Sequence, residues 1–363
     1  MVEIKNNRTG RESHLAGNIL EIRNLVTSFR IRNEYHAAVD GVSLSIRHNE
    51  VFAIVGESGC GKSALALSIL RLHKGFYSRV EGGIFFMGRD LLSLSDSELN
   101  DVRGKEIGMI FQDPLTALNP LMKIGAQIEE TLTYHTDYSA AQKKARALEL
   151  LNSVGMPRPD LVYRQYPHEL SGGMRQRAMI AIALVCRPAL VIADEPTTAL
   201  DVTIQAQILD LLRELQRETH CAVILITHDL SVVAEMAHRV AVMYAGQIVE
   251  LADVADIFHN PQHPYTRLLL ESNPSLGTPD DGLLHVIEGM VPSIDRLPRS
   301  GCRFSPRIPW IGSEAHEADP VYHTVAPGHS VLCTCYKHFR LGCRQPLKTP
   351  KSRLAPETKA EFT

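Results

Sequence analysis

The feature that most constrains the fold is a short apolar segment that runs directly into a glycine-rich turn. Val51–Val55 is entirely apolar, a segment with three glycines (Gly56–Gly61) follows it, and Leu65, Ile69 and Leu72 then recur at helical spacing. A continuous apolar run of this length is typical of a strand that is buried on both faces of a parallel sheet. The pattern therefore predicts a strand, a tight loop and a helix in an α/β domain.

The phosphate loop, which we define as Gly56–Ser63, has the spacing G-x-x-x-x-G-K-S. Its glycines let backbone N–H groups wrap phosphates, and the helix that starts near Lys62 turns its positive end toward them. We expect Lys62 to reach the outer phosphates and Ser63 to ligate Mg²⁺. An ordinary glycine-rich turn is the alternative, and the position between strand and helix argues against it. The predicted nucleotide-contacting residues of the loop are Gly56, Ser58, Gly59, Cys60, Gly61, Lys62 and Ser63.

An exposed pair of acids is predicted at the end of a second apolar strand, Ala189–Ala193. The carboxyl ends of strands in an open α/β sheet form the ligand crevice. Asp194 suits Mg²⁺, usually through water, whereas Glu195 is placed to polarise the water that attacks the terminal phosphate. The alternative is that the two acids simply cap a helix.

Two further polar side chains follow apolar strands. His228 ends the strand Ala222–Thr227, which brings an imidazole toward the terminal phosphate, and Gln112 follows Ile107–Phe111. A lone histidine is more often structural, but the preceding strand and the following Asp229 favour a catalytic role. We predict that Gln112 contacts Mg²⁺ or the attacking water and moves with the helical segment that follows it.

Leu170–Arg177 reads L-S-G-G-M-R-Q-R and opens a helix. It resembles the signature of the ABC family, and with the phosphate loop, Gln112, the Thr198–Asp201 turn and His228 it reproduces that family's motif order from Ile19 onward. The resemblance implies an α/β P-loop NTPase fold, the ABC nucleotide-binding domain, with a small antiparallel β subdomain, a helical insertion and a C-terminal extension. It also implies ATP hydrolysis, with ATP and Mg²⁺ as cofactors.

The same resemblance implies that two such domains face each other head to tail. Ser171, Gly172 and Gly173 would then contact the nucleotide held by the partner's phosphate loop, and a helix start with free N–H groups suits an anion. A glycine-rich helix cap is the alternative. The family stacks an aromatic residue on adenine; Phe29 is the prediction and Tyr35 the alternative.

The domain boundaries follow from changes in pattern. Residues 1–18 are polar and predicted to be a flexible arm, and alternating apolar residues from Ile19 to Ile46 predict an antiparallel sheet. The nucleotide-binding domain is predicted to span 19–250, with a helical subdomain at about 114–185 because no strand pattern occurs there. A Pro- and His-rich composition begins a C-terminal extension at 251–363.

Three segments narrow the resemblance to the oligopeptide/dipeptide (and nickel) importer ATPases: F-Q-D-P-L-T-A-L-N-P at 111–120, Met174, and N-P-Q-H-P-Y-T at 260–266. This implies import of di- or oligopeptides through a membrane permease, with nickel or another small solute as the alternative. The implied partners are a second related ATPase subunit in a heterodimer, two permease subunits and an external solute-binding protein. The implied location is the cytoplasmic face of the cell membrane.

Composition bears on the competing classes. A net charge of -3 provides no global basic field, so we predict no nucleic-acid partner, and no apolar run approaches the roughly 18 residues of a membrane span. A soluble ABC-type ATPase acting on ribosomes or DNA usually carries two cassettes or long coiled coils, whereas this chain has one motif set and no heptad run. A P-loop kinase would not need the helix start at Ser171–Gly173.

Four cysteines lie near the carboxyl end of the chain: Cys302, Cys333, Cys335 and Cys343. The tail resembles that of the same importer ATPases, in which four cysteines can hold an iron–sulfur cluster, but Ile308 and Ala315 occupy two of those positions and cannot ligate iron. Free thiols left after loss of a cluster are the favoured interpretation, with a rearranged four-thiolate site as the alternative. We do not predict a cluster as a cofactor.

The segment after Gln112 is predicted to transmit motion to the permease. Asp113-Pro114 and Asn119-Pro120 are turn-forming pairs that stiffen it. Its apolar side chains offer a patch for a short permease helix, unless they pack under the insertion; they are Leu115, Leu118, Leu121 and Met122.

Overall fold

The computed structural model describes residues 17–198, 201–272 and 287–339. The strands in chain order are β1 (Asn18–Ile31), β2 (Glu34–Arg47), β3 (Val51–Val55), β4 (Ser78–Phe86), β5 (Arg89–Asp90), β6 (Ile107–Ile110), β7 (Leu190–Asp194), β8 (Ala222–Thr227), β9 (Arg239–Tyr244), β10 (Gln247–Asp253), β11 (Tyr322–Ala326) and β12 (His329–Leu332). The helices are α1 (Lys62–Ile69), α2 (Asp96–Val102), α3 (Pro114–Ala117), α4 (Ile124–His135), α5 (Ala140–Ser153), α6 (Pro159–Val162), α7 (Gly172–Leu184), α8 (Val202–Thr219), α9 (Leu230–Met236), α10 (Val254–His259) and α11 (Pro264–Glu271).

The larger sheet has the strand order β11-β12-β10-β9-β3-β8-β7-β6. The five strands from β9 to β6 are paired in parallel, while β10, β12 and β11 are added antiparallel. Every residue of β3, β7 and β8 is buried, which explains why these strands are almost continuous apolar runs in the sequence. The predicted parallel α/β core is confirmed.

The smaller sheet, with order β2-β1-β4-β5, is antiparallel throughout and covers one face of the larger one. Successive side chains of a strand point to opposite faces. Phe52 and Ile54 therefore pack with the apolar residues of the antiparallel sheet, whereas Ala53 and Val55 pack with those of the C-terminal extension. The central strand is held from both sides, and its carboxyl end is fixed where the phosphate loop begins.

The helix after the loop is shorter than its apolar spacing predicts. The pattern extends to Leu72, but α1 ends at Ile69 and Leu70 forms its C-cap. Arg71 has a left-handed backbone conformation, φ 49°, which turns the chain out of the helix. Leu72 is consequently 39% exposed.

Between β6 and β7 the chain is helical, from α3 to α7 with a 3-10 turn at Pro167–Glu169, and no strand interrupts it. The apolar segment after Gln112 is divided. Leu118 is only 3% exposed and belongs to the core of this helical part, whereas Leu115 and Leu121 are 62% and 85% exposed. The predicted four-residue patch is therefore wrong for Leu118, which packs under the insertion.

The C-terminal extension continues the larger sheet. The predicted boundary at residue 250 falls inside β10, where Glu250 pairs with Val331 of β12. The Glu250 side chain is fully buried and accepts hydrogen bonds from His329 Nε2 at 2.7 Å and from the backbone N–H groups of Gln262 and His263 at 2.7 and 2.9 Å.

Most of the arm, residues 1–16, lies outside the described part. Among the described helices, none has both the length and the apolar character needed to cross a bilayer.

Candidate functional site

Two backbone carbonyls of the phosphate loop hold the Lys62 side chain. The Lys62 ammonium is buried and donates to the backbone carbonyls of Gly56, at 2.8 Å, and Glu57, at 3.0 Å. Gly61 caps α1, so the first free N–H groups of that helix, on Lys62 and Ser63, are part of the loop itself. These carbonyl contacts hold the cation beside the concave backbone, where it can be redirected to an incoming phosphate oxygen.

Two glycines of the loop are required by close approaches of other backbone segments. A Cβ at Gly56 would lie 2.1 Å from the carbonyl oxygen of Met243 on β9, and one at Gly61 would lie 2.5 Å from that of Ala38 on β2. Gly61 also has a φ of 109°, which residues with a side chain rarely adopt. Both sheets therefore fix the loop through contacts that only glycine permits.

The structure brings together the predicted metal ligands. The Ser63 hydroxyl donates to Asp194 Oδ1 at 3.1 Å, which joins the loop to the end of β7. Asp194 is 4% exposed, and burial raises the pKa of its carboxyl. The sequence predicts that both acids are exposed, and this prediction is wrong. Asp194 is buried, and only 12% of the Glu195 side chain is exposed. A hydroxyl and a carboxylate oxygen held this way are ligand types that Mg²⁺ prefers.

Glu195 is the centre of the predicted catalytic group. Its Oε2 accepts hydrogen bonds from Gln112 Nε2 at 2.8 Å and from the Thr198 hydroxyl at 2.9 Å. His228 Nδ1 lies 3.7 Å from the same oxygen, and Lys62 Nζ lies 4.0 Å from Oε1. Gln112, His228 and Lys62, which the sequence places in segments after three different strands, therefore meet at the Glu195 carboxylate.

The charges around Glu195 determine its protonation state. Contact with His228, supported by Thr198 and Lys62, lowers the pKa of Glu195 to about 2, while the same contact raises the pKa of His228. The carboxylate is thus ionised at neutral pH and can accept a hydrogen bond from water. Glu195 also has a left-handed φ of 47°, a costly conformation for a residue with a side chain that characteristically occurs at functional positions.

The segment Leu170–Arg177, which resembles the ABC signature, opens helix α7. Ser171 is exposed and caps α7, its hydroxyl accepting from the N–H of Met174 at 3.4 Å. In the described part of the chain, no hydrogen bond joins Ser171 to Lys62 or Glu195. Gly173 needs its lack of a side chain because a Cβ would lie 2.9 Å from Ile204. Ser171 and Gly172 are left at a surface helix start.

The two aromatic candidates for base stacking lie on the antiparallel sheet. Phe29 on β1 packs edge-on against His73, with ring centroids 5.0 Å apart. Tyr35 lies across the strand pair, and the guanidinium of Arg79 sits 3.9 Å from its ring centroid. Phe29 thus packs against a residue just beyond α1, and its role in stacking on adenine stays a prediction.

Sequence reasoning missed two residues of the extension that contact the phosphate loop. Tyr265 accepts a hydrogen bond from the Glu57 N–H at 2.8 Å. Arg307 donates to both oxygens of the Glu57 carboxylate, at 2.5 and 3.2 Å. Tyr265 stands in the 260–266 segment that carried the family resemblance, so the sequence contained a signal there. Arg307 stands in the tail that resembles that of the importer ATPases, but its pairing with Glu57 had no sequence signal because the two residues are 250 positions apart.

Comparison with known families divides the chain into a nucleotide-binding part and a C-terminal part. The family described as ABC transporter matches residues 39–198, and the family described as oligopeptide/dipeptide transporter, C-terminal region, matches residues 249–310. The two matches cover the phosphate loop and the Tyr265–Arg307 part of the extension that contacts it.

Individual relatives extend the similarity over nearly the whole chain. The chain is 50% identical over 323 residues to the oligopeptide transport ATP-binding protein OppD of Lactococcus lactis subsp. cremoris, covering 89% of this chain and 95% of that protein. It is 50% identical over 292 residues to the dipeptide transport ATP-binding protein DppD of Bacillus subtilis, covering 80% and 87%. A solved dimeric ATP-binding cassette in a post-hydrolysis state with ADP and Pi superposes with a TM-score of 0.59 at 30% identity, covering 65% of this chain and 98% of that one.

Proposed function

This chain belongs to the oligopeptide/dipeptide transporter ATPases of the ABC family, and we propose from that membership that it hydrolyses ATP to power the import of di- or oligopeptides through a membrane permease. The observation that carries the proposal is the Glu195 carboxylate, held between Gln112, His228 and Lys62 beside the phosphate loop. The relatives that are oligopeptide and dipeptide transport proteins favour peptides over nickel or another small solute.

ATP and Mg²⁺ fit the residues that are present. Gly56, Ser58, Gly59 and Gly61 offer backbone N–H groups to the phosphates. The N–H of Cys60 donates to the Glu57 carbonyl at 3.3 Å and would exchange that bond for a phosphate oxygen. Ser63 and Asp194, already in contact at 3.1 Å, would hold Mg²⁺; when bound, the ion neutralises charge on the phosphate oxygens. Gln112 is a further candidate ligand, since its carboxamide lies next to Glu195.

The catalytic roles follow from protonation states. Glu195 has a pKa of about 2 and is therefore a weak base. It orients the attacking water by accepting a hydrogen bond from it. His228 has a raised pKa and is 63% exposed, so it can donate to the terminal phosphate from the open side. Lys62 exchanges its carbonyl partners for phosphate oxygens.

A complete site requires a second ATPase subunit. Ser171 is exposed and Gly172 and Gly173 are half-buried at the start of α7, where free N–H groups suit contact with a nucleotide on a partner's loop. A similar solved ATP-binding cassette is dimeric with ADP and Pi bound, which supports the pairing of two such domains. We propose a heterodimer with a related chain, docked with two permease subunits at the cytoplasmic face of the membrane and supplied by an external solute-binding protein.

The catalytic assignment is tested with Glu195→Gln in the assembled transporter, with the partner's site separately inactivated. ATP binding should be retained, while single-site turnover should fall by about 10²–10⁴-fold because the carboxylate no longer orients water. Asp210→Asn is the control, since Asp210 is an exposed acid on α8, 71% exposed. Hydrolysis at the level of the control variant would contradict the role of Glu195.

The transport assignment has its own test. Mass spectrometry of ligand eluted from the cognate solute-binding protein, together with ATP-dependent uptake of a labelled tripeptide into vesicles, should identify peptides. Elution of nickel or of a non-peptide solute would overturn the peptide assignment and leave the ATPase assignment standing.

A further inference from the structure

The four-cysteine iron–sulfur set implied by the family does not fit this chain. Two of its positions are Ile308 and Ala315, which are 0% and 4% exposed and pack in the apolar core of the extension. A hydrocarbon side chain cannot ligate iron. Cys343, one candidate for a rearranged set, lies outside the described residues. Any metal bound here must use different donors.

The structure gathers a different set of four donors. One ligand atom each from Cys302, His316, Cys333 and Cys335 lies within 4.8 Å of all the others. The residues come from separate segments: Cys302 precedes the 3-10 turn Ser305–Arg307, His316 follows the 3-10 turn Ser313–Ala315, and the last two follow β12. The fold, rather than a local sequence motif, makes the cluster.

The imidazole of His316 lacks the hydrogen-bond partners that a buried polar group requires. Both ring nitrogens of His316 are buried without a hydrogen-bond partner, and a buried polar group in that state is destabilising. The three cysteines are buried and unpaired by disulfides. The N–H of Glu317 points at Cys333 Sγ at 3.4 Å, a contact of the kind that orients a sulfur ligand. Cys333 has a φ of 69°, so its placement is enforced by its surroundings.

We propose that Cys302, His316, Cys333 and Cys335 bind a single Zn²⁺ ion in a closed tetrahedral site. Zn–S bonds of about 2.3 Å and a Zn–N bond of about 2.0 Å put neighbouring donors about 3.5–3.8 Å apart. Donors already within 4.8 Å of one another need only a small contraction to reach that geometry. A multi-iron cluster spreads its ligands over several metal atoms and therefore needs wider spacing. Three thiolates and one imidazole leave no open position, so the site is structural rather than catalytic.

The site lies on the segment that reaches the phosphate loop. Cys302 is followed by Arg303, which donates to the Ala245 carbonyl at 2.6 Å and contacts Asp40, and then by Arg307, which pairs with Glu57. Metal binding contributes directly to folding free energy when the site forms only in the folded chain. The ion therefore fixes the turn from which the extension contacts the loop.

The test uses the full chain purified without chelators. Elemental analysis should find one zinc per chain and no acid-labile sulfide, and Co²⁺ exchanged into the site should show the absorption of tetrahedral thiolate coordination. His316→Ala and Cys335→Ser should each lower Zn²⁺ affinity at least about tenfold. Cys186→Ser, at a half-buried cysteine after α7, and Cys343→Ser are the controls that should keep full zinc content.

Several outcomes would overturn the proposal. These are equal amounts of iron and labile sulfide in the purified chain, zinc far below one per chain, or loss of zinc in Cys343→Ser. If His316→Ala fails to fold, X-ray absorption on the zinc-loaded wild-type chain decides the matter. A first shell of three sulfurs and one nitrogen supports the assignment, whereas four sulfurs contradicts it. None of these readouts depends on ATP hydrolysis, so the proposed function stands or falls separately.

Discussion

Neutralisation of Glu57 by Arg307 should control how well the phosphate loop accepts ATP. Arg307 makes two hydrogen bonds to this carboxylate and donates to the carbonyls of Glu288, Ile287 and Gly289 at 2.7, 3.3 and 3.1 Å. Its side chain is 6% exposed and that of Glu57 is 27% exposed. Arg307 therefore neutralises the negative charge of Glu57 inside the phosphate loop, which must bind the phosphates of ATP.

The change to make is Arg307→Met, which keeps the apolar stem and removes the charge. Hydrogen bonds to a charged group contribute about 1.5–3 kcal/mol net, and removing one partner of a largely buried pair costs about 3–5 kcal/mol. Because Glu57 is partly solvated, we expect about 2–4 kcal/mol of lost stability. An uncompensated carboxylate in the loop should also weaken ATP binding about tenfold, or about 1.4 kcal/mol.

The assay is a double-mutant cycle with Glu57→Gln, read by the urea midpoint at constant m-value and by ATP affinity. The coupling in stability should be about 1.5–3 kcal/mol, and Glu57→Gln in the Arg307→Met background should restore ATP affinity. Arg299→Met is the control, because that arginine is 42% exposed and lies 3.9 Å from Asp40; it should cost at most about 1 kcal/mol. Equal ATP affinities for Arg307→Met and the double variant would refute the electrostatic argument.

Three further predictions follow from burial and exposure. Ser171→Arg should leave ATP affinity at this chain's own loop unchanged and impair the site on the partner's loop, as nucleotide crosslinking would show; loss only at its own loop would exclude the head-to-tail pairing. Leu118→Ala should cost about 2–5 kcal/mol in urea unfolding because Leu118 is 3% exposed, whereas Leu115→Asp should change stability by at most about 0.5 kcal/mol yet abolish peptide uptake; unimpaired uptake would remove Leu115 from the coupling path. Burial lowers the pKa of His263 from 6.5 to about 4. As the pH falls below 6.5, the unfolded chain therefore takes up a proton at His263 before the folded chain does. The folded chain has its full stability above pH 6.5 and loses stability as the pH falls toward 4. His263→Gln should flatten the fall in urea midpoint over that window, and an unchanged slope would contradict this assignment.

The residues that were predictable from the sequence stand at the ends of strands. Lys62, Asp194, Glu195 and His228 each follow an apolar run, and parallel strands bring their carboxyl ends to one edge of the sheet. Gln112 could be placed there by the same rule. The local pattern also distinguished the antiparallel sheet from the parallel core, because alternation and continuous apolar runs are different signals.

What could not be predicted depends on contacts between distant parts of the chain. The burial of Asp194 and the left-handed φ of Glu195 are set by packing around the loop, not by their neighbours in sequence. Leu115 and Leu118 have the same local composition, yet one is exposed and the other is in the core. His316 was overlooked as a metal ligand because no spacing motif links it to the three cysteines, which only the fold of the extension brings near.

The position of β3 has a consequence for synthesis of the chain. This strand pairs on one side with β8, Val51 opposite Val223, and on the other with β9, Phe52 opposite Arg239. A ribosome adding about 5–20 residues per second must make about 170 more residues before either neighbour exists, which takes about 10–35 s. During that time five apolar residues at the centre of the future sheet have no strand beside them. Until β8 and β9 have been made, the antiparallel sheet, which is complete at Asp90, is the part of the fold that covers Phe52 and Ile54.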